Sequence, residues 1–124
     1  MQPRASKRPV VLIVEDELLI RMDTAETIEA AGFEVVEAEN ADDAIAILAA
    51  RNDIHLVLTD VHMPGSMDGL KLAHFVRNRW PPVKIVATSG RARPAEGDLP
   101  DGARFVQKPY TATEITSVLR ELTQ

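Results

Sequence analysis

The sequence IHLVLT, residues 54–59, is an almost continuous apolar run that ends at Asp60. The turn segment VHMPG follows directly, at residues 61–65. A short run of this kind, bounded by turn residues, is typical of a strand that is buried on both faces of a parallel sheet. Open α/β folds bind ligands in crevices at the carboxyl ends of such strands. The pattern therefore predicts that Asp60 lies at the edge of a binding crevice.

Four other short runs rich in Val, Ile and Leu predict four more strands. With Ile54–Thr59 as the third strand, the others are Val10–Val14, Phe33–Glu37, Val83–Ala87 and Ala103–Val106. Helical patterns alternate with them, over residues 17–31, from Asn40 through Ala49, over residues 69–79 and after Thr111. Five strands alternating with helices imply a parallel sheet that is covered by helices on both faces.

The segment from Arg91 to Gly102 lies where this alternation calls for one more helix. Pro94, Gly97 and Pro100 interrupt it, and Gly102 ends it. These residues leave room for about one helical turn. The fourth helix of the fold is therefore predicted to be short or irregular.

The remaining helical windows carry apolar stripes and capping signals. In the first window, a stripe of five apolar side chains predicts the buried face. The stripe consists of Leu18, Leu19, Met22, Ala25 and Ile28. Gly32 then stands where a left-handed C-cap belongs, Asn40 can cap the second helix, and Thr111-Ala112-Thr113-Glu114 is a capping-box pattern.

Length and composition restrict the classes of protein to consider. The 124 residues suit one domain, predicted over residues 9–124 and preceded by a flexible basic tail over residues 1–8. The net charge of −5 argues against direct binding to nucleic acid. No apolar stretch approaches the roughly 18 residues that a membrane span needs. The chain has no cysteine, which excludes disulfides and thiolate metal sites and suits a reducing cytoplasm.

Charged side chains also close two other predicted strands. Glu15 and Asp16 follow the first strand, and Lys108 follows the fifth. If these strands lie beside the one that ends at Asp60, three carboxylates and one ammonium share a pocket. Oxygen ligands with room for water suit magnesium or manganese. The alternative is that the acids cap their own loops and that Lys108 is a surface lysine beside Pro109.

Such a pocket has a definite chemistry. A carboxylate can attack phosphorus to form an aspartyl phosphate while a metal ion neutralises charge on the phosphoryl oxygens. Lys108 would supply a second positive charge to those oxygens. A hydroxyl at the end of the fourth strand could donate a hydrogen bond to the new phosphoryl group, and both Thr88 and Ser89 stand at that point.

Six short motifs occur in a fixed order along the chain: Glu15-Asp16, Asp60, Met63-Pro64, Asp68-Gly69, Thr88-Ser89 and Lys108-Pro109. In this order and at these spacings they resemble the receiver domain of two-component response regulators. The resemblance covers about residues 9–122. It implies a flavodoxin-like, doubly wound fold with five parallel strands in the order 2-1-3-4-5 and helices on both faces.

The resemblance implies a role for each residue of the pocket. Asp60 would accept the phosphoryl group, and Lys108 would pair with the phosphoryl oxygens. Magnesium or manganese would be held by Asp16, Asp60 and the backbone carbonyl of His62, with Glu15 assisting through water.

The resemblance also implies a switch at the end of the fourth strand. The family has one Ser or Thr there, and counting along the strand favours Ser89 over Thr88. Phe105 matches an aromatic position that turns inward with this hydroxyl; its alternative role is that of a core aromatic. His62 and Arg91 match two rim positions that tune dephosphorylation, although His62 is equally well explained as a solvated loop residue.

Taken as a whole, the resemblance implies a stand-alone, cytoplasmic receiver that is a monomer or weak dimer. The alternative is a receiver excised from a hybrid kinase or a longer regulator. A sensor histidine kinase or phosphotransfer protein would supply the phosphoryl group, and a separate protein target would read the result. No output domain, nucleic-acid or membrane contact, or turnover of an external substrate is expected. The alternatives are an Asp-nucleophile phosphatase or phosphotransferase, a constitutive pseudo-receiver, and a nucleotide-binding flavodoxin-like protein. Histidine at position 62 disfavours the phosphatase, which needs an Asp there. The complete set of pocket groups disfavours the pseudo-receiver, and the lack of a Gly-rich loop after the first strand disfavours the nucleotide-binding protein.

Overall fold

Nine helices and strands alternate along the part of the chain that the computed structural model describes, namely residues 8–63, 65, 67–91, 93–95 and 97–124. The strands are β1 (Val10–Val14), β2 (Glu34–Ala38), β3 (Ile54–Asp60), β4 (Lys84–Ser89) and β5 (Arg104–Gln107). The helices are α1 (Leu18–Ala30), α2 (Ala41–Ala50), α3 (Gly69–Arg79) and α4 (Ala112–Thr123). Apart from Arg8, the tail predicted over residues 1–8 lies outside the described residues.

The strands form one parallel sheet in the order β2-β1-β3-β4-β5, which confirms the predicted order. β4 pairs with β3 through Asp60 and Thr88, and with β5 through Ser89 and Gln107. This ladder extends β4 to Ser89, two residues beyond the predicted end at Ala87, because backbone pairing continues past the apolar side chains. The carboxyl ends of the strands meet at one edge of the sheet.

Two apolar layers cover the sheet because successive side chains of each strand point to opposite faces. One face packs against α2 and α3, and its buried residues include Leu12, Val57, Ile85, Leu48, Leu72 and Val76. The other face packs against α1 and α4, and its buried residues include Ile13, Leu58, Val86, Ile28, Ile115 and Leu119. The central strands therefore run between two cores, whereas the edge strands β2 and β5 are partly exposed.

The stripe predicted for α1 is wrong in its first half. Ala25 and Ile28 are buried as expected, but Leu18, Leu19 and Met22 are 56%, 79% and 53% exposed. The first fully buried residue of α1 is Thr24, so the apolar side chains of its first turns are not covered by the sheet. The helix is present as its period predicts, but periodicity alone does not show which turns of a helix are covered by the sheet.

The predicted capping signals are confirmed. Gly32 has a φ angle of +103°, in the left-handed region that favours glycine, and its N–H donates to the carbonyl of Glu29. The Asn40 side chain accepts from the Asp43 N–H at 2.8 Å, and Thr111 and Glu114 form the capping box of α4.

The segment between β4 and β5 contains no helix among its described residues, which agrees with the prediction of a short or irregular fourth helix. It is held against α3 instead: the ring nitrogen Nε2 of His74 lies 2.7 Å from the carbonyl oxygen of Asp98. Elsewhere in the described part of the chain, no helix has the length and apolar character that crossing a bilayer requires.

Candidate functional site

Three charged side chains meet at the carboxyl edge of the sheet. Glu15 follows β1 directly, Asp60 is the last residue of β3, and Lys108 follows β5. The Nζ atom of Lys108 lies 3.1 Å from Oε1 of Glu15 and 3.1 Å from Oδ2 of Asp60. The structure thus brings together residues that are 48 and 93 positions apart in the sequence.

Backbone groups fix the orientation of the Asp60 carboxylate. Its Oδ1 atom accepts a hydrogen bond from the His62 N–H at 3.1 Å, while Oδ2 faces Lys108. Gly69 allows the chain to return close to this point, because a Cβ atom there would collide with the carbonyl oxygen of Asp60. The N–H of Gly69 also donates to the carbonyl of Val61 at 2.9 Å. The His62 N–H therefore orients the Asp60 carboxylate, while Gly69 packs closely against the Asp60 backbone.

Three carboxylates form a cluster that can hold a cation. One oxygen each from Glu15, Asp16 and Asp60 lies within 4.8 Å of the other two. Glu15 is buried, Asp60 is half-buried and Asp16 is partly open to solvent. A donor set made of carboxylate oxygens, with one side open to water, fits magnesium or manganese. The His62 side chain is exposed, and its carbonyl stays a predicted ligand.

The pKa of the Glu15 carboxyl is raised above its ordinary value. Burial is the largest cause, since Glu15 is only 5% exposed. The Glu17 N–H, which donates to Oε2 at 3.1 Å, and the Lys108 ammonium both lower the pKa but do not offset burial. A cation in the cluster would favour the ionised form of this carboxyl.

The pKa of Lys108 is also raised. Burial lowers it, but hydrogen bonds and charge from Asp60 and Glu15 together outweigh the burial. Lys108 is therefore a fixed positive charge beside Asp60 at neutral pH. This is the property that a group facing phosphoryl oxygens requires.

Arg21 belongs to the site, although its sequence position gave no sign of this. Its Nη1 atom donates to the carbonyl oxygen of Glu15 at 2.8 Å, and its Nε atom donates to Oε1 of Glu37 at 3.1 Å. The Arg21 side chain is only 13% exposed. It therefore ties the acidic loop after β1 to α1 and to β2.

The two candidate hydroxyls lie on opposite faces of the sheet. Thr88 pairs with Asp60 on one side and Val106 on the other, so it shares their face. Ser89 is two residues beyond Ala87, which pairs with Phe105, so Ser89 shares the face of Phe105. Both hydroxyl-bearing residues are buried.

Local contacts further distinguish Ser89. Its Oγ atom accepts a hydrogen bond from the Arg91 N–H at 3.0 Å, a bond that does not use the hydroxyl proton. The Arg91 side chain is exposed, and Phe105 is half-buried. The guanidinium carbon of Arg93 lies 5.1 Å from the centroid of the Phe105 ring, which is a cation–π contact.

A cleft of about 440 Å³ opens beside Lys108. Its walls come from α1, from the residue after β4 and from the segment after β5, and they comprise Ile20, Asp23, Thr24, Gly90, Lys108, Pro109 and Tyr110. The exposed apolar side chains of Leu18, Leu19 and Met22 lie on the same helix as the first of these residues. The charged pocket is thus bordered by apolar surface.

Comparison with known proteins links this geometry to one family. The model of the response regulator receiver domain matches residues 11–120. Response regulator protein FleR of Pseudomonas aeruginosa is 34% identical over 112 residues, a match that covers 88% of this chain and 23% of that protein. Aerobic respiration control protein ArcA of Escherichia coli is 35% identical over 117 residues, covering 92% of this chain and 48% of that protein. The chain therefore spans less than half the length of these relatives.

Solved structures agree with this likeness. A response regulator receiver protein from Sinorhizobium medicae superposes with a TM-score of 0.85 and 28% identity, over 94% of each chain. Response regulator protein TrrA from Thermotoga maritima, solved in complex with Mg(2+)-BeF, gives a TM-score of 0.83 and 26% identity, over 92% of this chain and 98% of that one.

Proposed function

Because this chain belongs to the response regulator receiver domain family, we propose that it is a phosphorylation-switched receiver whose acceptor is Asp60. The observation that carries the proposal is the ammonium of Lys108, which lies 3.1 Å from both Asp60 and Glu15. A carboxylate at a strand end is common, but one that shares a fixed cation with a second carboxylate suits phosphoryl transfer.

The proposed reaction is displacement at phosphorus. One carboxylate oxygen of Asp60 attacks the phosphorus atom of a phosphohistidine as the bond from phosphorus to the histidine nitrogen breaks. The electron pair of that bond returns to the imidazole, which is reprotonated from solvent, and Asp60 becomes an acyl phosphate. Lys108 turns away from the Asp60 oxygen that it contacts in the resting state and faces the phosphoryl oxygens. There it neutralises part of their charge.

Asp16, Asp60 and the carbonyl of His62 would hold the magnesium or manganese ion, with Glu15 acting through water. When bound, the ion offsets charge on the equatorial phosphoryl oxygens. The donor chemistry of the three carboxylates supports this assignment. So does the TrrA structure, a relative with 26% identity that was solved with Mg(2+)-BeF.

In the proposed switch, a hydroxyl at the end of β4 donates to the phosphoryl group while Phe105 repacks. Ser89 would leave the Arg91 N–H and turn from the opposite face of the sheet, whereas Thr88, the alternative, already shares the face of Asp60. Phosphorylation then shifts a two-state equilibrium of β4, β5 and the segment between them. The shared face of Ser89 and Phe105 supports their coupling. His62 and Arg91, at the rim, are the residues we expect to tune the lifetime of the phosphoryl group.

The donor in this proposal is a sensor histidine kinase or phosphotransfer protein that docks on the first turns of α1. Leu18, Leu19 and Met22 are exposed there, and the cleft beside Lys108 is lined by other residues of the same helix. A separate cytoplasmic protein would read the switch, with the receiver acting as a monomer or weak dimer. The receiver would process only its own phosphoryl group and would not turn over an external substrate.

Incubation with acetyl phosphate and magnesium tests the proposal. We expect the intact mass to rise by one phosphoryl group and the amide resonances of β4 and β5 to shift. Asp60→Asn should abolish both responses, whereas Asp43→Asn, exposed in the first turn of α2, should keep them. A wild-type protein that gains no mass, or an Asp60→Asn variant that does, would contradict the proposal.

A further inference from the structure

The side-chain amide of Gln107, the last residue of β5, joins two points of the segment after β4. Its Nε2 atom lies 2.8 Å from the carbonyl oxygen of Ser89 and 2.9 Å from that of Arg91. Both neighbours are acceptors, so the nitrogen of the amide, with its two protons, must face them. A weaker contact of 3.4 Å to the carbonyl of Lys108 accompanies these bonds.

The residues that Gln107 contacts form a closed set of hydrogen bonds. The carbonyl of Ser89 also accepts from the Lys108 N–H at 2.9 Å, as part of the sheet. The Oγ atom of Ser89 accepts from the Arg91 N–H at 3.0 Å. The turn from Ser89 to Arg91 is thus fastened at its start by the backbone of β5 and at its end by the side chain of Gln107.

This fastening has a structural reason. No helix forms in the described residues between β4 and β5, so the carbonyl of Arg91 has no helical N–H to accept from. Gln107 supplies the missing donors from the neighbouring strand. Without it, among the described contacts, the Lys108 N–H would still hold the Ser89 carbonyl, and the Ser89 side chain would hold the Arg91 N–H, but the Arg91 carbonyl would lose its donor.

We propose that Gln107 is a positioning residue that keeps the turn from Ser89 to Arg91 in its resting place and so sets how readily the switch occurs. The inference rests on the switch proposed above for β4, β5 and the segment between them. Movement of this turn breaks the bond between the Arg91 carbonyl and Gln107. The amide of Gln107 therefore favours the resting conformation.

Three variants separate this role from a general effect on stability. Gln107→Met preserves the length of the side chain but removes both donors, whereas Gln107→Lys keeps a donor that can reach two carbonyls. Arg104→Met is the matched control, because Arg104 is exposed on the same strand and its side chain contacts Glu121, away from the turn.

The first measurement needs no phosphorylation. Amide hydrogen exchange of the unmodified protein should be faster at Arg91 in Gln107→Met, by about three- to tenfold for one weakened hydrogen bond. Exchange at Lys108, which is bonded within the sheet, should be unchanged. Gln107→Lys should restore slow exchange at Arg91, and Arg104→Met should match the wild type. Unchanged exchange at Arg91 in Gln107→Met would overturn the inference.

The second measurement is binding of beryllofluoride in excess magnesium, followed by amide shifts. Gln107→Met should bind about five- to tenfold more tightly, because the conformation that can accept the ligand becomes more populated. Equal or weaker binding would show that Gln107 does not restrain the switch. A wild type that binds no beryllofluoride would contradict the proposed function, while the exchange experiment would still decide whether Gln107 fastens the turn.

Discussion

The ammonium nitrogen of Lys108 lies 3.1 Å from Oδ2 of Asp60, between side chains that are only 20% and 15% exposed. The same ammonium lies 3.1 Å from Glu15, so in the resting state it neutralises two carboxylates that would otherwise repel each other. A cation that binds this cluster competes with Lys108 for the same oxygens, whereas a phosphoryl group adds new oxygens for Lys108 to face. The two ligands should therefore respond in opposite ways to loss of the ammonium.

Lys108→Met tests this competition. Magnesium should bind the unphosphorylated variant more tightly, because no ammonium has to be displaced, while beryllofluoride should bind roughly ten- to a hundredfold more weakly through loss of a charge-assisted hydrogen bond. Calorimetric titration measures both. Lys84→Met, at the opposite end of the sheet, is the matched control. Parallel changes in the two affinities would contradict the assigned role of Lys108.

Glu15→Gln tests the raised pKa of Glu15. A carboxyl whose pKa is higher in the folded than in the unfolded protein stabilises the fold below its unfolded pKa and loses that contribution as the pH rises through its folded pKa. In the absence of metal, the stability of the variant relative to the wild type should therefore rise as the pH increases from the ordinary pKa of a glutamate, about 4.3, toward neutral pH. Its affinity for magnesium should fall.

Urea denaturation in the presence of a chelator measures the stability difference of Glu15→Gln at each pH. Glu29→Gln, on the exposed side of α1, is the control and should show no such trend. A constant difference between Glu15→Gln and the wild type across this pH range would mean that burial does not raise the pKa of Glu15.

The sequence predicts the part of this site that is formed by charged side chains, but not the contacts that side chains make with backbone atoms. Glu15, Asp60 and Lys108 each follow an apolar run, and the edge rule for parallel sheets brings such residues together. The contacts of Arg21 and Gln107 were not predicted, because both side chains bind backbone carbonyls, which every residue has. Sequence patterns reveal side-chain chemistry and periodicity, but they do not show which carbonyl lies within reach.

Arg21→Ala tests one of these unpredicted contacts. The guanidinium bonds the Glu15 carbonyl and Glu37, so its loss should loosen the loop that carries Glu15 and Asp16. Because groups behind metal ligands orient them, magnesium affinity should fall roughly tenfold. Arg21→Lys should recover part of it. Arg120→Ala serves as the control, because it removes a hydrogen bond from α4 to the carbonyl of Ala31, just after the end of α1. Equal affinities in Arg21→Ala and the wild type would exclude the positioning role.

Gly69→Ala tests the close approach of the chain behind Asp60. The new Cβ would collide with the Asp60 carbonyl, so either α3 or the end of β3 must shift. We expect a loss of stability of about 1–3 kcal/mol. At Gly90, by contrast, the nearest atom to an added Cβ is the Cβ of Lys108 at 3.9 Å, so Gly90→Ala should be tolerated. Urea denaturation compares them, and equal stabilities would show that the approach is not tight.

The choice between Ser89 and Thr88 is the remaining test of the switch. Thr88 shares a face with Asp60 and pairs with Asp60 and Val106 within the sheet. Ser89 ends β4 and shares a face with Phe105, and its hydroxyl oxygen accepts from the Arg91 N–H. We therefore expect Ser89→Ala to retain beryllofluoride binding at Asp60 but to lose the amide shifts around Phe105, whereas Thr88→Ala should keep them. If only the threonine change removed those shifts, Thr88 would be the switch hydroxyl.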